Sequence, residues 1–279
     1  MKNVITMKNG IVRTSALALL LALLGIQQAG AQTMRGDFSM DGQVNVTDIS
    51  MMINYMLNDA LPVAETQMDT ITVKGVSFVM VHVQGGTYSR ELGKCYTVGD
   101  FSIGQTEVTN ELWYAVMEDI AWPEDYWQRA VVNKSRVMCD EFIARLNELT
   151  GLEFMLPSED EWEYAAAGGR LTHGYLYAGS NNIDEVAWYI GNRSQIGYKP
   201  APVATKAPNE LGLYDMSGNV SEWCRDFRSL PESSEYGAVR GGTYYTEPGQ
   251  CRVSAIMGML QNNQGSTAEG YGGFRLVLH

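Results

Sequence analysis

Six oxygen-bearing residues fall at loop spacing between Asp37 and Asp48. Asp37, Ser39, Asp41, Asn45 and Asp48 take loop positions 1, 3, 5, 9 and 12, and Gln43 at position 7 would donate its backbone carbonyl. Gly42 stands where the loop must turn sharply, and Val44 supplies an apolar anchor. An all-oxygen shell suits a hard cation, so the spacing predicts a calcium site. The sequence offers no such set to a softer metal. His82, His173 and His279 are scattered, and Cys95, Cys139, Cys224 and Cys251 form no C-x-x-C pair. Zinc and non-haem iron sites want clusters of those residues.

The elements that must position this chemistry follow from periodicity. After the loop, Ile49, Met52, Ile53, Met56 and Leu57 share one helical face, so residues 36–58 read as one unit. Ahead of it, Lys2, Lys8 and Arg13 precede the apolar stretch Ala16 to Ile26 and the small residues Ala29-Gly30-Ala31, the order of a signal peptide. Cleavage after Ala31 is expected, which makes the protein exported: periplasmic, surface-borne or secreted. Loss of those three positive residues moves the formal charge from −12 to −12 − 3 = −15. A chain this acidic should repel nucleic acid and anionic membranes. No later stretch is apolar for long enough to cross a bilayer. Residues 59–70 read as a linker and 71–279 as the main domain. A strand run from Ile71 to Val83 opens that domain, with Gly85-Gly86 as its turn.

Three helices are expected beyond it. One is capped by Thr109 and carries Trp113, Val116, Met117 and Ile120 on one face. A second starts near Cys139, carries Phe142, Ile143, Leu146 and Leu149, and stops near Gly151. The third begins with Ser158 and Glu161 as a capping box and ends at Gly168-Gly169. The remainder is rich in Gly, Asn, Tyr and Trp and shows no βαβ alternation. The expected class is α+β with much irregular structure.

Two resemblances follow from these residues. The loop and helix at 36–58 resemble one half of a type I dockerin, which implies a cohesin-like scaffold as a partner; dockerins carry two such units, and one is visible here. In the main domain, Gly85-Gly86-Thr87-Tyr88, the run from Ile103 to Asn110, the run from Leu156 to Ala166, the run from Pro208 to Cys224, Arg240-Gly241-Gly242-Thr243-Tyr244 and Gly273-Phe274-Arg275 occur in order. That series resembles the sulfatase-modifying factor domain of the formylglycine-generating enzyme family. The resemblance implies a compact, loop-rich fold related to C-type lectin-like domains, and an activity that oxidises a sulfatase cysteine to formylglycine with copper and oxygen. It also implies a calcium ion on the side chains of Asp215 and Glu222 and the carbonyls of Gly218 and Val220. The family's catalytic pair is two cysteines, separated by four residues, just after the RGG motif. Aligned through Arg252 and Ala255, those positions fall near Pro248 and on Val253, so copper is not expected here. Ser221 also replaces the tryptophan usual in the segment.

The aromatic inventory, 6 Trp and 15 Tyr, invites a ligand-stacking surface. Trp113, Trp162, Trp188 and Trp223 read as core, which leaves Trp122, Trp127, Tyr244 and Tyr245 as ligand-binding candidates. Cys224 and Cys251 are candidates for a disulfide in an exported chain. Arg240 and Arg275 read as buried structural residues. The reading that follows is a calcium-stabilised, non-catalytic member, a pseudoenzyme that binds a glycan or a protein. The alternatives are a formylglycine-type oxidase and a scaffold-tethered assembly component.

Overall fold

The computed structural model describes residues 66–89, 95–119, 122–229, 235–260 and 272–279. The chain divides into two units, Met1–Val63 and Ala64–His279. The expected signal segment and the expected calcium loop (Asp37, Ser39, Asp41, Gln43, Asn45, Asp48) lie outside the described residues. Among the described residues, no helix is long and apolar enough to cross a membrane.

The second unit opens with a hairpin, β1 (Met68–Val73) and β2 (Val76–Val83), in register from Met68–Val81 to Val73–Val76. The sequence reads 71–83 as one strand. Lys74 and Gly75, with φ of 48° and 84°, fold it back instead. Two consecutive positive-φ residues give a tight turn whose twist matches a hairpin. The first strand therefore starts inside the stretch read as linker. β5 (Phe101–Gly104) and β10 (Val277–Leu278) complete a four-stranded antiparallel sheet in the order β1-β2-β5-β10. β3 (Gly86–Ser89) and β4 (Cys95–Val98) make a separate hairpin. A third sheet runs β8 (Met257–Leu260), β7 (Glu235–Arg240), β6 (Ser221–Ser229), β9 (Gly272–Gly273), with β9 parallel to β6.

The helices form where their caps predict. α1 (Asn110–Met117) starts at Thr109, whose hydroxyl accepts from Leu112 N. α2 (Arg136–Thr150) starts at Ser135 and ends on Gly151 at φ 70°. It begins before Cys139 because Ser135, and not a residue nearer Cys139, supplies the cap. Cys139, Phe142, Ile143 and Leu146 are buried, but Leu149 is 45% exposed and leaves the expected face. The Trp113 ring of α1 stacks on Phe142 of α2 at 5.2 Å, and Phe274 meets both edge-on. Each such ring contributes about 2–3 kcal/mol through burial alone. α3 (Glu159–Ala166) carries the full capping box of Ser158 and Glu161. Trp162 and Tyr164 are its buried anchors.

From 167 to 220 the chain runs as turns, 3-10 pieces and one four-residue helix, α4 (Ile183–Val186). Buried asparagines order it by standing in for missing backbone partners. Asn209 donates to Ala165 O at 2.7 Å and accepts from Leu211 N and Leu213 N. Asn219 accepts from Ala201 N at 2.9 Å and donates to Glu107 Oε1 at 3.0 Å. Mixed sheets, few helices and long ordered loops fit the expected α+β class.

Candidate functional site

The deepest polar cluster forms where β6, the loop before it and the C-terminal segment meet. Glu222 and Arg275 are both fully buried. Arg275 donates from Nε to Glu222 Oε2 at 2.6 Å and from Nη2 to Oε1 at 2.7 Å. Trp162 Nε1 adds a third bond to Oε2 at 2.7 Å. Arg275 also donates to the carbonyls of Gly104 and Tyr214 at 2.9 Å. One ion pair thus ties β5, α3, β6 and the C-terminal segment together. Burial is the largest single influence and opposes the charge on Arg275, but Glu222, with Glu107 and Asp215 behind it, holds the guanidinium pKa above its ordinary value.

Two further carboxylates lie in the same interior. Asp215, at φ 58°, accepts from Ala204 N through Oδ2 at 2.7 Å. Its Oδ1 is buried without a hydrogen-bond partner, and so is Glu107 Oε2. Burial raises Glu107 well above the usual carboxylate range, and the charges of Asp215 and Glu222 raise it further. Burial pushes Asp215 up to about 6. Buried negative charge with unpaired oxygens is costly unless a cation or a proton offsets it. Asp215 therefore suits the expected calcium, whereas both Glu222 oxygens are committed to Arg275. Gly218, at φ 80°, pairs with Trp188, whose carbonyl a side chain at 218 would strike. Val220 is buried behind it. Among the described residues, no three His, Cys, Asp or Glu side chains are arranged to hold a metal.

The segment after the RGG motif packs directly against this cluster. Gly218 N donates to Gly241 O, and Tyr244 N to Asn219 O. Thr246 Oγ1 lies 3.4 Å from Cys251 Sγ, with four residues between them. The hydroxyl also accepts from Thr243 N at 2.9 Å. Gly242, at φ 76°, lets the chain pass Cys251: a Cβ there would lie 2.9 Å from the sulfur. Ser217 Oγ donates to Cys251 O at 2.8 Å. Burial pushes the Cys251 thiol up to about 11.

The disulfide expected between Cys224 and Cys251 is not formed; both thiols are free, as are Cys95 and Cys139. The two sit in different apolar clusters. Cys224 packs with Trp162, Ala238 and Val253, and Cys251 with Tyr177 and Val186.

The four aromatic candidates divide. Tyr244 is buried, and its ring lies 4.6 Å from Tyr245. Trp122 is 40% exposed and stacks on Tyr126 at 5.7 Å; Trp127 packs on Tyr114 at 5.3 Å. Between the 122–127 loop and Tyr245 lies a stretch that the sequence did not single out. Lys199 covers the Tyr126 ring at 4.4 Å, and Arg193 lies over Tyr245 at 4.2 Å and over Tyr198 at 5.3 Å. Trp188, read as core, is half-buried, with Lys206 over its ring at 4.2 Å. Glu107 was also missed as a site residue, although it lies within one of the quoted motif runs. Arg193 and Tyr198 lie in an aperiodic loop that carries no sequence signal.

Residues 58–279 match the family model described as the sulfatase-modifying factor enzyme 1-like domain. A chaperone protein LppX of Paenibacillus barcinonensis is 31% identical over 236 residues, 64% of this chain and 83% of that protein. A formylglycine-generating enzyme of Thermomonospora curvata is 30% identical over 145 residues, 43% of this chain and 48% of the enzyme, so the chain spans about half of that enzyme's length. Among solved structures, the Treponema denticola variable protein 1 superposes with a TM-score of 0.64 at 26% identity, over 76% of this chain and 98% of its own. PvdO from Pseudomonas aeruginosa, at 20% identity and TM-score 0.55 over 71% of this chain and 93% of its own, shares the fold.

Proposed function

This chain belongs to the sulfatase-modifying factor family, and from that premise we propose that it is a binding member which has set aside the family's oxidation chemistry and engages a protein partner. The carrying observation is the Thr246–Cys251 contact. Four residues separate the two, the spacing that the resemblance gives for the family's catalytic pair; positions 248 and 253 share that spacing but hold Pro and Val. One hydroxyl and one thiol do not make the two-sulfur set that a soft cuprous ion prefers. The thiol is also poorly activated. Burial holds it protonated, with its pKa pushed up to about 11. A protein partner is supported by the half-exposed ring-and-cation surface from Trp122 to Tyr245 and by the likeness to a protein named a chaperone.

Calcium enters this reading as a structural ion. Asp215 would hold it through its unpaired oxygen, with Glu107 as a nearby second carboxylate and the carbonyls of Gly218 and Val220 completing the shell. It would offset interior negative charge and carry no chemistry.

The test uses the full-length protein with a cysteine-bearing sulfatase-motif peptide, copper and oxygen, read by mass spectrometry. The peptide should keep its thiol, and the same protein should suppress aggregation of a chemically denatured client in proportion to its concentration. Conversion of the thiol to an aldehyde would overturn the non-catalytic reading. Unchanged aggregation would overturn the protein-binding one.

A further inference from the structure

We propose that Arg193, held over the rings of Tyr198 and Tyr245, is the anion-recognising residue of a surface that takes an extended polypeptide bearing a carboxylate side chain. The proposal rests on the protein-binding reading above and names what that surface selects.

The chain is acidic, with a formal charge of −12, yet cations gather here. Arg129, Arg193, Lys199 and Lys206 each lie over an aromatic ring within 5.4 Å of its centroid. Three of the four have polar partners. Lys199 faces Asp125 at 3.5 Å, Lys206 donates to Asp184 O, and Arg129 donates to the carbonyls of Asp125 and Pro200. Arg193 differs. Among the described residues, no carboxylate pairs with its guanidinium and no acceptor takes its N–H groups, although it is half-buried. Ring contacts hold a guanidinium by its face and leave its planar edge for bidentate donation. A carboxylate is the planar acceptor that fits such a fork.

The surroundings select a peptide over a neutral glycan. The rings are flanked by cations, where a neutral sugar would want mixed donors and acceptors. Backbone bonds tie these segments to their neighbours: Tyr198 N donates to Arg193 O, Ile190 N to Thr246 O, and Val203 N to Gln128 O. Near Cys251 in the chain, Val253 N donates to Leu176 O, and the apolar side chains of Leu176 and Ile256 are 40% and 51% exposed. Apolar side chains placed there suit alternate residues of an extended chain, with its acidic residue on Arg193.

The experiment titrates full-length protein into two fluorescein-labelled peptides of alternating Leu and Tyr that differ in one central residue, Glu or Gln, and reads fluorescence anisotropy. The Glu peptide should bind about tenfold tighter, a preference of the size expected for one charge-assisted bidentate pair. Arg193→Gln should weaken the Glu peptide alone until the two match, and Tyr198→Ala should give part of that loss. Circular dichroism checks that both variants fold. Equal binding of the two peptides, or a preference that survives Arg193→Gln, overturns this proposal and leaves the protein-binding reading standing. Binding of neither peptide overturns both. A sulfated oligosaccharide that binds tighter than the Glu peptide and competes with it shows that the surface serves a glycan, and overturns the choice of a polypeptide.

Discussion

Two neighbouring regions treat polar groups in opposite ways. Around Glu222 every oxygen and every guanidinium nitrogen of the central pair has a partner, and the bonds run to three other elements. Around Cys251 the polar groups are small and uncharged, and apart from Ser217 Oγ they meet one another within residues 243–251. The first region is an obligation of the fold, because an unpaired buried charge is expensive. The second is free to change. A thiol can give way to a hydroxyl of similar size without stranding a charge. If Thr246 and Cys251 are the family's reactive pair, as proposed above, that contrast explains how a chain keeps the family's architecture while its chemistry changes.

The largest effect should come from breaking the charged region. Glu222→Gln leaves Arg275 buried without its counter-charge, and should cost about 3–5 kcal/mol in urea unfolding. The double variant Glu222→Gln with Arg275→Met should recover part of that loss, since neither charge is then stranded. A Glu222→Gln protein as stable as the wild type would erase the contrast. A middle effect belongs to calcium. Saturating calcium should raise the melting temperature and a chelator should lower it; at a hundredfold excess over Kd the stabilisation is about 2.7 kcal/mol. Asp215→Asn keeps an oxygen for Ala204 N but weakens the ion's shell, so the chelator should then have little effect. Equal responses in both proteins would place the ion elsewhere, at the Asp37–Asp48 loop for example.

Much of this architecture was legible in the sequence where local rules act alone. Thr109 and Ser158 declared their helices through short side chains followed by apolar spacing, and both cap as expected. Where long-range packing decides, the sequence was silent or misleading. The single strand over 71–83 is two, because Lys74 adopts the left-handed conformation that a glycine usually supplies. Cys224 and Cys251 were expected to staple two loops on the premise of export, yet they belong to different apolar clusters. Glu222 looked like a metal ligand until its distance to Arg275, 53 residues away, was known. Arg193 meets Tyr245 across 52 residues (245 − 193) in a loop without period, and no spacing rule foretells that contact.

The smallest structural effect, and the sharpest chemical one, should come from the second region. Thr246→Cys places a sulfur where the hydroxyl now stands 3.4 Å from Cys251 Sγ. The site loses a hydroxyl that accepts from Thr243 N and donates to Thr243 O, so the stability change should stay near 1 kcal/mol. Two thiols at this separation form a soft pair, and a cuprous ion bound between them would stabilise both as thiolates. Competition against a colorimetric Cu(I) chelator should then show one copper per chain, bound at least a hundredfold tighter than by the wild type. If Thr246→Cys binds copper no better, the two positions do not form the family's metal pair, and the proposed contrast loses its second region. If the wild type already binds copper as tightly as the variant, the second region has not been released from its chemistry, and the contrast with the Glu222 region fails.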